Sequence, residues 1–143
     1  MSKFILGKRS KDNLVGVHPV LIQIVIRALE LSPVDFFVDC GVRTPERQAE
    51  LYAQGRTKPG PVVTWTLKSN HFVNKKTGFG HAVDLIPLPV DWNNLKAFDA
   101  VAKAMFQAAA EFKIELRWGA DWDQDGNPRE RGETDSPHFE IVI

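Results

Sequence analysis

Cysteine is almost absent from this chain. Cys40 stands alone, so no disulfide can form within it. Its surroundings, Phe36-Phe37-Val38-Asp39-Cys40-Gly41, read as the buried end of a strand. No base suggests itself to activate the thiol, so Cys40 is expected to be a small core side chain. Long hydrophobic runs are also missing. The greasiest stretch, Val20 to Ile26, contains Gln23 and ends at Arg27, which is too little to span a bilayer. The apolar Phe4-Ile5-Leu6 is followed by Lys8, Arg9 and Lys11, which is not the plan of a secretory signal. Synthesis and folding in a cytosol are therefore expected. Net charge is lacking too: 18 basic residues balance 18 acidic ones, so the total gives no sign of a nucleic-acid partner. Repeats and low-complexity tracts are absent. What is present, 143 residues of which 43% are hydrophobic and 25% charged, suits one domain, 1–143, around one core.

The chain reads as a succession of short elements. Val17-His18-Pro19 opens a helix running to about Leu31, with proline in the first turn and Ser32-Pro33 as the stop. Phe36 to Asp39 is strand-like. Thr44-Pro45 caps and starts a second helix, which ends near Ala53 before Gln54-Gly55. An irregular stretch follows from Arg56 to Gly80, and loops of that length inside a compact domain are usually functional or mobile. Ala82 to Ile86 is an apolar strand interrupted by Asp84. Asn93 or Asn94 caps a helix through about Phe112, whose stripe of Leu95, Phe98, Val101, Ala102, Met105, Ala109 and Phe112 faces a core. Glu115 to Trp118 and His138 to Val142 are strands, separated by a second long loop, Gly119 to Pro137. This order predicts an α+β fold, with helices packed on a small, largely antiparallel sheet.

The chemistry-bearing residues lie at the strand starts and in the loops. Asp84 is an acid inside an apolar strand, where an unpaired charge is costly. His138 fronts the apolar strand Phe139-Glu140-Ile141-Val142, and Asp135 precedes it by three residues. His71 comes from the long loop. Zinc takes nitrogen from neutral histidine and oxygen from carboxylate, and catalytic sites keep three protein ligands plus one open position. His71, Asp84 and His138 would make such a set, with Asp135 as a spare carboxylate to work on a water. Spacing alone leaves open the alternative of a buried Asp paired with Arg and histidines bonded within the core.

The segments Ser69-x-His71, Gly80-x-Ala82-x-Asp84 and Asp135-x-x-His138 resemble peptidase family M15, which contains D-alanyl-D-alanine peptidases and phage endolysins that cut the L-alanyl-D-glutamate bond of peptidoglycan. Gly41 to Gln48, Leu116 to Trp122 and the opening around Val17-His18-Pro19 are similar to further family segments. At this length, and with no separate wall-binding domain, the likeness is to the phage endolysins. It implies a zinc endopeptidase with His71, Asp84 and His138 as ligands and Asp135 as general base. It also implies Arg43 as the arginine that binds substrate and steadies the oxyanion. The chain departs from the pattern in one place: Thr77 occupies the usual register of the first histidine, so Phe72 to Thr77 is read as an insertion. His81 is the rival ligand, but an odd separation from Asp84 would turn the two to opposite faces of a regular strand.

The implied partner is peptidoglycan, reached from the host cytoplasm with a holin's help, by a monomer needing neither membrane nor nucleic acid. Ser69 and Trp118 join Arg43 as expected substrate-binding residues. Trp65 and Trp122 could line the groove, and Lys58, Lys68, Lys75 and Lys76 could rim it for an acidic substrate. Asp121-x-Asp123-x-Asp125-Gly126-Asn127 resembles the start of an EF-hand loop and would hold Ca2+, although Arg131-Gly132 stand where the closing acid belongs. Two other activities fit the same residues: a D-alanyl-D-alanine carboxypeptidase or dipeptidase, and a non-catalytic wall- or calcium-binding module.

Overall fold

The computed structural model describes residues 4–61, 70–121, 123, 124, 126, 128, 129 and 135–143. Helix α1 (Lys8–Asn13) leads into α2 (Pro19–Leu31), strand β1 (Phe36–Cys40), α3 (Pro45–Ala53), β2 (Ala82–Pro87), α4 (Leu95–Glu111), β3 (Glu115–Trp118) and β4 (His138–Val142). The four strands form one antiparallel sheet in the order β1-β2-β4-β3. The predicted α+β architecture is the one observed. Among the described residues, no helix is long and apolar enough to cross a membrane.

Local chemistry explains the helix boundaries. His18 caps α2, its Nδ1 accepting from the Val20 N–H at 3.1 Å, and Pro19 holds the first turn. Thr44 Oγ1 accepts from Arg47 N to start α3, and Asn94 Oδ1 accepts from Ala97 N to start α4. Leu21, Ile24, Val25, Ala28 and Leu29 bury one stripe of α2, against α4's Phe98, Val101, Ala102, Met105, Ala108 and Ala109. The alanines let the two helix backbones approach. Val38, Val83, Leu85, Leu116, Phe139 and Ile141 join them from the sheet to complete the core.

Helix α1 was not expected from the sequence. Six polar residues carry no apolar period, and so short a helix is not stable by propensity alone. Tertiary bonds fix it instead. Ser10 Oγ accepts from Val38 N at 2.9 Å, and Asn13 Nδ2 donates to Val38 O at 2.8 Å. The outer edge of β1 is thereby paired with side chains, which covers what would otherwise be an open sheet edge.

Candidate active site

Strand register builds the first half of the site. Asp84 on β2 lies opposite His138 on β4, so both side chains rise from the same face of the sheet, away from Val83 and Phe139, which enter the core. Asp84 Oδ1 is 3.3 Å from His138 Nδ1. It is also 3.3 Å from Nε2 of His71, which arrives from the loop and is buried to 2% exposure. The sequence-predicted trio therefore converges on one carboxylate oxygen. That oxygen is buried, and the two imidazole nitrogens are its polar neighbours.

Each imidazole is turned by a partner on its far side. His71 Nδ1 donates to the Gly41 carbonyl at 2.7 Å, which aims Nε2 at Asp84. Gly41 must be glycine: a Cβ there would lie 1.8 Å from the Asn13 carbonyl oxygen. His138 Nε2 lies 2.8 Å from Glu140 Oε1, which aims Nδ1 at Asp84. Burial disfavours the His71 cation, but hydrogen bonding to Asp84 and Cys40 and the Asp84 charge outweigh it and push its pKa up to about 9. Burial likewise opposes the His138 cation, and Asp84 and Glu140 together push it up to about 10. Burial works against the Asp84 charge, yet bonds to His138 and His71 hold that carboxyl well below the usual range.

The segment from Phe72 to Thr77, expected to be an insertion, closes on itself beside His71. Asn74 Oδ1 accepts from Lys76 N, Gly78 N donates to Asn74 O, and Asn74 N donates to Phe79 O, closing a small turn. The chain leaves at Asn70 and returns at His81, whose N–H donates to Asn70 O at 3.0 Å. Residues 72–79 therefore project as a self-contained loop. His81 stands outside the trio, its Nε2 2.8 Å from Thr77 Oγ1 and its ring edge-on to His18.

Arg43 lies behind Asp84. Its Nη2 donates to Asp84 Oδ2 at 3.3 Å and its Nη1 to Gln48 Oε1 at 2.7 Å. It also lines a cleft of about 470 Å³ with Asp39, Cys40, Val42, Thr44, Arg47 and Leu51. Asp135 stands on the other side, Oδ2 4.0 Å from His138 Nδ1, with its side chain 52% exposed. Crowding by surrounding atoms raises its pKa and the Asp84 charge adds to this, against the pull of His138. Gly119 makes that placement possible, since a Cβ there would meet Asp135 O at 2.2 Å and Asp135 Cβ at 2.8 Å.

Other expected residues fall elsewhere. Trp118 does not line a groove: it is buried at 6% exposure, stacked on Phe139, and its Nε1 donates to Ser136 O at 2.6 Å. Its even position in β3 pairs it with Phe139 on the core face, so it supports the Asp135-Ser136 turn from below. Ser69, Trp65, Trp122, Lys68 and Asp125 lie outside the described residues. Lys58, Lys75 and Lys76 are exposed. Asp121 Oδ2 accepts from Gly126 N at 3.0 Å, closing the acidic turn on itself.

Cys40 corrects the sequence reading. A bulge between Val38 and Cys40 places it opposite Asp84, on the site face, where it is half-buried. Its Sγ accepts from Arg43 Nη2 at 3.3 Å. Burial alone would raise the thiol pKa, but His71 and Arg43 bring it below the ordinary value. Gln48, Asn70 and Glu140 were also not singled out. Glu140 was legible in principle, because it follows His138 by two residues and so shares its face of the strand.

Two donor sets could hold a cation. Cys40, His71 and Asp84 have ligand atoms within 4.8 Å of one another. In the set His71, Asp84 and His138, both nitrogens lie 3.3 Å from one oxygen. Donors about 2.0–2.1 Å from a tetrahedral zinc ion stand roughly 3.3 Å apart, so the two nitrogen–oxygen spacings match those of a zinc site. Cys40 lies on the guanidinium side of Asp84, where Arg43 would repel a cation.

Residues 1–142 match the family model described as phage L-alanyl-D-glutamate peptidase. The chain is 39% identical to the L-alanyl-D-glutamate peptidase of Escherichia phage T5, over 97% of this chain and 98% of that protein. It is similar to the crystal structure of the Serratia marcescens L-Ala D-Glu endopeptidase ChiX, at a TM-score of 0.74 and 33% identity, covering 98% of this chain and 92% of the other. With the fold, the converging trio and these likenesses in agreement, the chain belongs to the phage L-alanyl-D-glutamate peptidase family.

Proposed function

We propose that this protein is a metal-dependent endolysin that hydrolyses the L-alanyl-D-glutamate bond of peptidoglycan stem peptides, with Zn2+ as the metal. The observation that carries the reading is the approach of His71 Nε2 and His138 Nδ1 to Asp84 Oδ1, at 3.3 Å each, beside the Asp135 carboxylate in a chain of this family. His71, Asp84 and His138 would hold the ion. When bound, Zn2+ polarises a carbonyl and acidifies a water.

The chain's own groups supply the remaining chemistry. Asp135 receives the proton of the attacking water and delivers it to the leaving amine; a carboxylate with a raised pKa suits both transfers. The water oxygen bonds to the alanyl carbonyl carbon as the C–N bond to D-glutamate breaks. Arg43 holds Asp84 through Oδ2, leaving Oδ1 turned to the histidines, and Gln48 holds Arg43. As Arg43 also lines the adjoining cleft, it can present a cation to an acidic stem peptide. Exit from the host cytoplasm to the wall through a holin belongs to the same proposal.

The test is digestion of purified peptidoglycan followed by mass spectrometry. Fragments with a new D-glutamyl amino terminus are expected, to be lost with a chelator and restored by Zn2+. Release of terminal D-alanine instead would point to a carboxypeptidase, and no cleavage at all to a binding module.

A further inference from the structure

Glu140 is buried to 4% exposure at the back of the site, and its two oxygens serve different elements. Oε1 lies 2.8 Å from His138 Nε2 on its own strand. Oε2 accepts from Asn70 Nδ2 at 2.5 Å, and Asn70 immediately precedes His71. Arg117, its register partner on β3, brings Nη1 to 3.6 Å from the same oxygen. One carboxylate thus touches the imidazole from the strand and the loop that delivers the imidazole from the other side.

We propose that Glu140 is the positioning residue of the metal centre: it keeps the His138 ring with Nε2–H turned inward and Nδ1 toward Asp84, and through Asn70 it anchors the His71 loop in the same geometry. This rests on the metal reading above. The physical case is that an imidazole ligating through one nitrogen is oriented by what its other nitrogen donates to, and an anionic acceptor also strengthens the ligand. Burial prevents water from replacing Glu140. On the His71 side the neutral Gly41 carbonyl takes that role, and the Glu140 charge reaches the same loop through Asn70.

The experiment measures Zn2+ affinity by competition with a chromophoric chelator for the full-length chain and for Glu140→Gln, Glu140→Ala and Asn70→Ala. It also records 15N spectra of the imidazoles with Zn2+ bound. Glu140→Gln is nearly isosteric and keeps an acceptor for Nε2–H, so it guards against mere unfolding. Affinity is expected to fall about 10- to 100-fold in Glu140→Ala and by a smaller factor in Glu140→Gln. Asn70→Ala should weaken binding while leaving the His138 Nε2–H signal in place. Unchanged affinity in both Glu140 variants, with the His138 signals unmoved, would overturn the inference while leaving the metal reading intact. Failure of the unsubstituted chain to bind Zn2+ through His138 would overturn both.

Discussion

His71 and His138 approach the same oxygen of Asp84 from two kinds of backbone. His138 sits on β4, an inner strand of the sheet, with neighbours bonded on both sides. His71 sits on a loop held, among the described residues, by Arg43 N on its carbonyl at 2.8 Å, the Gly41 carbonyl on its ring, and the Asn70 contacts beside it. The strand delivers its donor through register. The loop delivers its donor through individual side-chain and backbone anchors. The difference teaches that a site can take its rigidity from the sheet and carry an irregular excursion, such as Phe72 to Thr77, where the backbone is not in a ladder.

The largest effect should come from the atom both histidines share. Asp84→Ala is expected to abolish peptidoglycan cleavage and reduce the zinc content of the purified protein to background; retention of stoichiometric zinc would remove Asp84 as the common donor. Next is Asp135→Ala, which should lower kcat by about 10²–10⁴ while zinc content stays at the unsubstituted level. Loss of zinc in that variant would make Asp135 a ligand rather than a base.

Gly119→Ala probes the strand side without replacing a candidate donor, although its methyl would also meet His138 Cβ at 3.0 Å. The added methyl must push the Asp135 segment away, and a shift of about 1 Å costs up to about 10²-fold in rate. A variant with full activity would show that the Asp135 position tolerates such movement. The acidities of the two histidines give a further measurement. In the metal-free protein both are raised, to about 9 and about 10, from an ordinary value of 6.5. Their contribution to stability is therefore complete below about pH 6.5 and lost as pH rises through 9 to 10. The Tm of the chelated protein should fall over that window, and the fall should shrink with Zn2+ bound; a flat profile would mean the imidazoles are neutral throughout. The smallest expected difference is in amide exchange. The loop from 70 to 81 should exchange faster than β4, and equal protection would erase the contrast between them.

Much of this arrangement could be read in advance. The caps His18, Thr44 and Asn94 follow from local hydrogen-bond chemistry, and the middle of the α4 stripe from period 3.6, but Leu95 and Phe112 at its ends are exposed rather than in the core. The buried acid in an apolar strand pointed to Asp84, and the family likeness selected His71 over His81. Helix α1 was illegible because its stability lies in bonds from Ser10 and Asn13 to a strand some 25 residues away. Cys40 was misplaced because a bulge, invisible to a period-2 reading, turned it onto the site face. Trp118 was assigned to the substrate, but pairing with Phe139 decided its face. Glu140 was passed over as one polar residue in a greasy strand, when its parity with His138 was the signal.

The pairing of Asp84 with His138 also makes the site a sentinel for correct assembly. Slipping β4 by one residue against β2 would send His138 into the core and bring Phe139 out beside Asp84. A chain that collapsed with the wrong alignment would keep its helices and much of its secondary structure, yet could offer a cation only half a nest. Counting bound ions per chain would then count properly folded molecules, which circular dichroism would fail to distinguish.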